Sequence, residues 1–578
     1  MKMDLSVTKH VIAPVLVSHR LSAKDAFGAA AQRRAIAAML TAGLVCAIAS
    51  PAAAQSVENA VAGQTTIIDR FTPPSRPGTV DITVEDQRKR VPDNKAEAMR
   101  FRLRSISVEG AQAVPNGTLE AVWQDRIGEQ ISLAELYRIA EAVDAAYLRA
   151  GYLSMTVVPV QNFKSGEVTL RVYEGYLETV EITSSIPNIR ERLAPYIRRL
   201  TSMRPIRIKE AERILLLMSD LGGLQIEGTL VRPQTPSGGG TLKLAVDFNR
   251  YSAGIGLDNL GTDEVGPVEL SGNISVNDIF GLFETTSLVG VTIPDSPEEM
   301  ILLQASQSVP IGFNGLSAGY DLTYVTQKPG GDLKNDDIDI ETVIGTANLQ
   351  YPFLRTIDQS LYGKVEINLR NDRIDVMGMR AARERTRWAT MGLRYDLSFG
   401  ETSFSAGTEL GQSLSHDVED ASVPDDYRFG RADFDISHSL GSIAQLHLRT
   451  TGQYSPTPLP GSVRFSLGGD PYGWAFDGGS LSGDSGVASA FEVSHDFETG
   501  WSTLPGVTLT AFADYGIVWR ADAAAEYSRD SLGSAGIGVS GMVAERVNFQ
   551  LLTATPWHKP ENADDPGTRV FFRLGLAL

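Results

Sequence analysis

The sequence has 578 residues, a formal net charge of −18, 42% hydrophobic and 21% charged residues, and a single cysteine, Cys46. The hydrophobic share is too high for a disordered chain. The acidic balance argues against nucleic-acid binding, which needs a basic surface, and one cysteine excludes a disulfide framework or a multi-cysteine metal site.

Arg33 and Arg34 precede an apolar run from Ala35 to Ala49, Pro51 breaks it, and Ala52-Ala53-Ala54 offers small residues for cleavage before Gln55. Residues 1–54 therefore read as a secretory signal, with Cys46 inside its apolar core. Val45 before Cys46 fits a lipoprotein site poorly, so no lipid anchor is expected. No later stretch is apolar and long enough for a transmembrane helix. Residues 55–100 read as a leader: a poorly patterned helix over Val57–Arg70, a Pro-rich linker over Phe71–Gly78, and a basic spot at Arg88-Lys89-Arg90.

An α+β pattern follows over 101–176. Leu103, Ile106 and Val108, with turn signals at Gly110 and Asn116-Gly117, suggest a strand and then a short helix. Ser132 with Glu135 forms a capping box that opens a helix through Leu136, Ala140, Val143 and Tyr147. Gly151 ends it, and strands follow near Leu153–Pro159 and Glu167–Tyr173. The same order recurs over 177–249, with a strand at Leu177–Thr183, helices at Asn188–Leu200 and Ile208–Leu221, and strands at Gln225–Val231 and Thr241–Phe248. Two successive β-α-α-β-β units are an internal architectural repeat.

Beyond Arg250 the helical spacing gives way to alternation. Leu361, Gly363, Val365, Ile367 and Leu369 face one side, and Tyr362, Lys364, Glu366, Asn368 and Arg370 the other. About sixteen such segments, each about ten residues long, fill 250–578, enough to cross a bilayer when tilted. Short turns alternate with long polar connections such as Gly330–Asp339 and Ser415–Asp426, and the last segment, 569–578, is apolar at every second residue. A closed barrel satisfies every backbone N–H and C=O between strands, as lipid requires. The expected fold is a membrane β-barrel of about sixteen antiparallel strands after two α+β domains.

No phosphate-binding glycine loop with Lys and Ser/Thr is present, nor an H-E-x-x-H pair. Gly483-Asp484-Ser485-Gly486 is superficially like a serine-protease nucleophile segment, but no His/Asp-bearing double barrel lies upstream. No catalytic, cofactor-binding or metal-binding residue is expected. The informative stretch is a long Gly-rich connection, residues 464–486, with Phe465, Gly468, Gly469, Gly473, Phe476, Gly483, Asp484 and Gly486. Further on, Phe512, Asp514 and Gly516 share the polar face of a strand. A carboxylate and a glycine inside a barrel suggest a close approach by another segment.

On these motifs, F-S-L-G-G … L-S-G-D-S-G at 465–486 and F-x-D-x-G at 512–516, the chain resembles the outer-membrane transporters of two-partner secretion, also called the hemolysin secretion/activation family. The resemblance covers nearly all of the chain after the signal. It implies POTRA domains at 101–176 and 177–249, a barrel at 250–578, a loop at 464–486 folded inward against the wall at 512–516, and a pore that the leader plugs at rest. It also implies an Arg-Gly pair in the loop whose Arg reaches the wall Asp. Here Trp474-Ala475 stand before Phe476, so either another base such as Arg464 serves Asp514, or the loop is held differently.

The implied function is export of a specific partner exoprotein, an adhesin, cytolysin or toxin, in extended form from periplasm to cell surface. Other implied partners are outer-membrane lipid and the machinery that inserts the barrel, with no nucleic acid and no cofactor. The POTRA domains are placed in the periplasm of a bacterium. The alternative is an insertase that assembles other barrels in the outer membrane; a barrel enzyme or passive porin fits the POTRA repeat poorly.

Overall fold

The computed structural model describes residues 64, 67, 68, 70, 78, 80–85, 93–231, 237–417, 423–521, 528–561, 563 and 565–578. The signal segment and the Arg88–Arg90 spot lie outside the described residues.

The repeat seen in the sequence is a repeat of topology. In the first unit Ser105–Glu109 pairs parallel with Glu167–Glu174, which pairs antiparallel with Ser154–Val157. In the second, Tyr176–Ser184 pairs parallel with Gly239–Phe248, which pairs antiparallel with Leu224–Val231. The helix Leu133–Arg149 starts on Ser132, whose side chain accepts from the Glu135 N–H while Glu135 accepts from the Ser132 N–H. It lays Leu136, Val143 and Tyr147 into a core with Leu103, Leu119 and Leu170. In the second unit the sequence reading expects one helix over 188–200. The structure breaks it into Ile189–Arg192 and Ala194–Ser202, with Pro195 in the first turn of the latter. Proline has no N–H to continue the ladder.

One element was not expected. Val80–Glu85, in what reads as leader, is a strand paired parallel with Leu224–Val231. The second domain therefore has a four-stranded sheet with the leader at one edge and Tyr176–Ser184 at the other.

The remainder is a closed barrel of sixteen antiparallel strands, from Tyr251–Asp258 to Arg569–Ala577. Alternation fixes the facing: Ile367 is 50% exposed on the outer surface while Arg370, on the opposite face, is 2% exposed. A row of Val365, Ile367, Leu369, Met391 and Leu393 forms part of the apolar outside, and the polar inside closes on itself in pairs such as Arg370–Asp372 at 2.9 Å. The ring shuts where the first strand meets the last, through five register pairs from Gly254↔Ala577 to Asp258↔Arg573. Among the described residues no helix is long and apolar enough to cross a membrane; this chain would cross with strands.

The second α+β domain is docked on the turns at one barrel end. Arg192 makes a bidentate pair with Asp278 at 2.6 and 2.8 Å and stacks on the Phe283 ring at 3.6 Å. Asp220 pairs with Arg355 at 2.8 Å, and Arg213 donates to the Pro352 carbonyl at 2.6 Å. Burial raises the Asp278 carboxyl, but the Arg192 guanidinium and the Phe283 N–H outweigh it and hold it below the usual range. A depressed carboxylate contributes stability that is present above its unfolded value and is lost as pH falls through the folded one. Protection from hydrogen exchange at Ile189–Ser202, taken relative to the intrinsic amide rate at each pH, should therefore fall as pH drops below the ordinary aspartate range, and Asp278→Asn should remove most of that dependence. Equal acid sensitivity in the variant would contradict it.

Candidate functional site

The barrel lumen is occupied from two directions. The first occupant is the connection between the strands Gln445–Tyr454 and Ser485–Trp501. It forms a short ribbon, Phe465–Leu467 against Leu481–Gly483. Its tip reverses through Gly468, Gly469 and Gly473, at φ of 111°, 76° and 121°, where a side chain is disfavoured. The tip is closed by Phe476 N–H to the Gly473 carbonyl at 2.8 Å and Gly469 N–H to the Phe476 carbonyl at 3.0 Å.

The ribbon lies on the barrel wall where the wall has no side chain. The Phe465 ring covers Gly486, where a Cβ would fall 2.1 Å from it. Leu467 covers Gly516, where a Cβ would fall 2.6 Å from it. Trp474 sits between Phe512 and Phe571, with ring centroids 6.0 and 5.6 Å away. With Phe476 and Leu481 these residues form one buried apolar cluster.

Asp484 and Asp514 fix the two ends. Asp484, 1% exposed, accepts from the backbone N–H of Leu459 and Ala521, both at 2.7 Å. Arg464 lies 3.5 Å from that same carboxylate. Asp514, 2% exposed, accepts from the Ser534 N–H at 3.0 Å and from its hydroxyl. The backbone amides of Gly473 and Trp474 lie close to it. Of the two options open for Asp514, the structure therefore places Arg464 at Asp484 and brings loop backbone to Asp514. Backbone amides are available whatever residue stands at 474, which is why Trp474 can occupy the position.

The charges that tie the tip down were not picked out in the sequence. Asp477 pairs with Arg569 at 2.7 Å and Asp470 with Arg573 at 3.1 Å. Both arginines face inward from the last strand, alternating with Val570 and Leu574, which are exposed outside. Two basic residues on the polar face of an otherwise apolar terminal strand were the available signal. Gly483 lies in the ribbon, where a Cβ would meet the Trp519 carbonyl and Val518.

The second occupant is the leader. Gln64, Ile67, Ile68 and Arg70 have helical backbone. Gln64 donates to Gln327 at 2.5 Å and accepts from Thr342 at 2.9 Å. Ile67 and Ile68 pack on an inner-wall cluster that includes Val289, Met300 and Val325. Arg70 pairs with Glu269 at 2.8 Å, and Asp258 lies 3.8 Å away. Between the leader and the loop, the uncovered wall is charged with both signs, as in Lys364–Glu366 at 2.6 Å and Arg449–Glu492 at 2.6 Å. A cavity of about 770 Å³ opens there toward the docked domain, lined by Tyr196, Asp220, Lys364, Arg394, Glu409 and Asp433 among others.

A family model described as haemolysin secretion/activation protein ShlB/FhaC/HecB matches residues 243–541. A model described as POTRA domain, ShlB-type, matches 101–175. No curated protein matches the chain. Among solved structures, CdiB from Escherichia coli is 18% identical, with 92% of this chain and 99% of that chain covered at a TM-score of 0.68. CdiB from Acinetobacter baumannii is 16% identical, with 89% and 96% covered at a TM-score of 0.60.

Proposed function

The chain belongs to the haemolysin secretion/activation (ShlB/FhaC/HecB) family, making it a two-partner secretion pore of the outer membrane that exports a partner protein, and from that premise we propose how its parts divide the work. The segment 1–54 is the export signal, and the leader 55–100 plugs the resting pore. The POTRA domains, 101–176 and 177–249, stand in the periplasm and receive the exoprotein, an adhesin, cytolysin or toxin, in extended form. The barrel of 250–578, inserted by the barrel-assembly machinery and surrounded by outer-membrane lipid, passes it outward. Folding outside supplies the driving force, since the sequence offers no nucleotide site. Glycines 468, 469, 473, 483 and 486, with Phe465, Phe476 and Asp484, shape the loop, and Phe512, Asp514 and Gly516 are its seat.

The observation that carries this reading is a lumen filled by two segments of the chain itself, each held by side chains that can let go, above a docked domain. A rigid, permanently packed barrel has no use for removable fillings, and an open passive pore has none. Deleting the gene and profiling the supernatant tests it. Loss of one large secreted protein is expected; a general loss of outer-membrane barrels would instead favour an assembly insertase.

The loop seat has its own test. Asp514→Ala leaves the Ser534 N–H and hydroxyl without their acceptor and removes the carboxylate beside the Gly473 and Trp474 amides. Hydrogen bonds to a charged group contribute about 1.5–3 kcal/mol each, so the loop should loosen while the barrel stays inserted. Secretion should fall several-fold with unchanged outer-membrane levels by immunoblot; full secretion would show the seat to be dispensable.

A further inference from the structure

The outer face of the barrel carries a basic patch at the end away from the docked domain, and the patch supports an inference that rests on the outer-membrane reading above and goes beyond it. The strand Gln359–Val376 starts beside Arg355, where the docked domain is held, and runs to the opposite end. Its outward residues are apolar and exposed at Val365, Ile367 and Leu369, and turn polar at Asn371 and Arg373. The neighbouring strand, Met379–Phe399, repeats the change. Leu393 and Met391 are apolar and exposed, and beyond Ala389 come Arg387, Arg385 and Arg383. The register sets Leu369 opposite Arg387, Asn371 opposite Arg385 and Arg373 opposite Arg383. The alternate residues Arg370, Asp372 and Thr386 are buried on the lumen side, so these arginines share the face of the apolar row. Gln359 and Leu369 are ten residues apart, which at ~3.3 Å per residue and a tilt of ~40° spans ~25 Å, the height of a barrel's apolar band. The arginines therefore stand where hydrocarbon ends and the headgroups of the outer leaflet begin.

Their arrangement works against the sheet. Like charges directly opposite on a ladder repel, and Arg373 and Arg383 are such a pair. Nearby carboxylates offset only part of this. Asp375 takes Arg373 at 2.6 Å and lies 3.8 Å from Arg380. Glu341 is the register partner of Arg373 on one side of the patch, and Asp417 that of Arg385 on the other. Among the described residues, the guanidinium groups of Arg383 and Arg385 meet no ion-pair or hydrogen-bond partner. Arg387 is held by the carbonyls of Arg370 and Thr386 at 2.7 and 2.8 Å and by the Asn371 side chain at 2.7 Å. Those contacts fix its position without neutralising it, and leave one anchored cation beneath two open ones.

We propose that Arg383, Arg385 and Arg387 form a binding site for the phosphate groups of a phosphorylated glycolipid in the outer leaflet. A guanidinium fork matches two oxygens of a phosphate at once. Alternate residues on a strand are ~6.6 Å apart, so neighbouring arginines can share one phosphate or take one each. The acyl chains of the same molecule then run down Leu369, Ile367 and Met391 directly beneath. The lipid meets charge and apolar surface in the order in which the wall presents them, whereas a free phosphate would use only the first.

The test titrates the purified full-length protein with lipid A bearing both phosphates and reads bound copies by native mass spectrometry. Arg383→Ser with Arg385→Ser should bind at least tenfold more weakly than the parent, since each basic residue near an anionic surface contributes roughly fivefold. Arg383→Lys with Arg385→Lys should lie between the two, keeping the charge but not the fork. Lipid A stripped of phosphate should bind parent and serine variant alike, and inorganic phosphate in excess should leave the intact lipid in place. Both side chains are exposed, so the serine variant should reach the outer membrane at the parental level and keep its heat-modifiable migration. Equal affinity of parent and serine variant for the phosphorylated lipid would overturn the site. Displacement of the lipid by inorganic phosphate alone would overturn the assignment to a glycolipid. If the parent is missing from the outer-membrane fraction, the membrane reading fails instead.

Discussion

Arg70→Ala is expected to turn a mostly closed channel into a persistently conducting one. Arg70 is the cation on the leader that reaches Glu269, fully buried, and lies 3.8 Å from Asp258. Removing one partner of a buried pair costs about 3–5 kcal/mol, because the other charge is left uncompensated. Here two carboxylates are left facing each other on neighbouring strands, and the part of the leader inside the lumen loses its ion pair while the Gln64 hydrogen bonds and the Ile67 and Ile68 contacts stay. In planar lipid bilayers the purified variant should stay open for most of a recording in which the parent opens rarely. Arg70→Lys should lie between the two, since one ammonium retains the charge but not the separate nitrogens that face Glu269 and Asp258. A closed Arg70→Ala channel would show that these contacts do not hold the leader.

The second large effect is on the wall. Ile367 stands on the outer face midway along the strand Gln359–Val376. Ile367→Arg puts a charge toward hydrocarbon and should cost about 2–4 kcal/mol near the midplane. Lower yield in the outer membrane and loss of heat-modifiable migration should follow. Asn368→Arg, one residue on and facing the lumen, should be tolerated far better. If both variants behave alike, the outward assignment of Ile367 is wrong.

What the sequence revealed divides along physical lines. Sixteen strands were legible because lipid on one side and a polar lumen on the other force an alternation sustained over each crossing, as at Val365, Glu366, Ile367, Asn368. Their ends were not. Gln359–Val376 extends well beyond the 361–370 read from the sequence, since past the bilayer neither face has to be apolar. The capping box at Ser132 is local and was visible; the break at Leu193 is equally local, and Pro195 was its overlooked signal. The leader strand was hidden because VDITVE is too short to stand alone and exists only against Leu224–Val231.

In the loop, glycines were conspicuous, but which side chain each would admit was not. Phe465 on Gly486 and Leu467 on Gly516 are matches between surfaces. The Asp477–Arg569 and Asp470–Arg573 pairs span 92 and 103 residues, and no spacing rule links positions so far apart. Of the two options left open for Asp514, a base such as Arg464 or a loop held differently, Arg464 lies at Asp484 instead.

The final strand has two jobs that pull on the same residues. It shuts the ring through only five rungs, where Gln359–Val376 and its neighbour share many more, and its Arg569 and Arg573 grip the loop tip from within. One side of the hoop's thinnest joint is thus anchored to material stored in its own bore. Whatever draws that material aside frees both arginines on the strand that closes the ring, so clearing the passage unloads the same strand that shuts the cylinder.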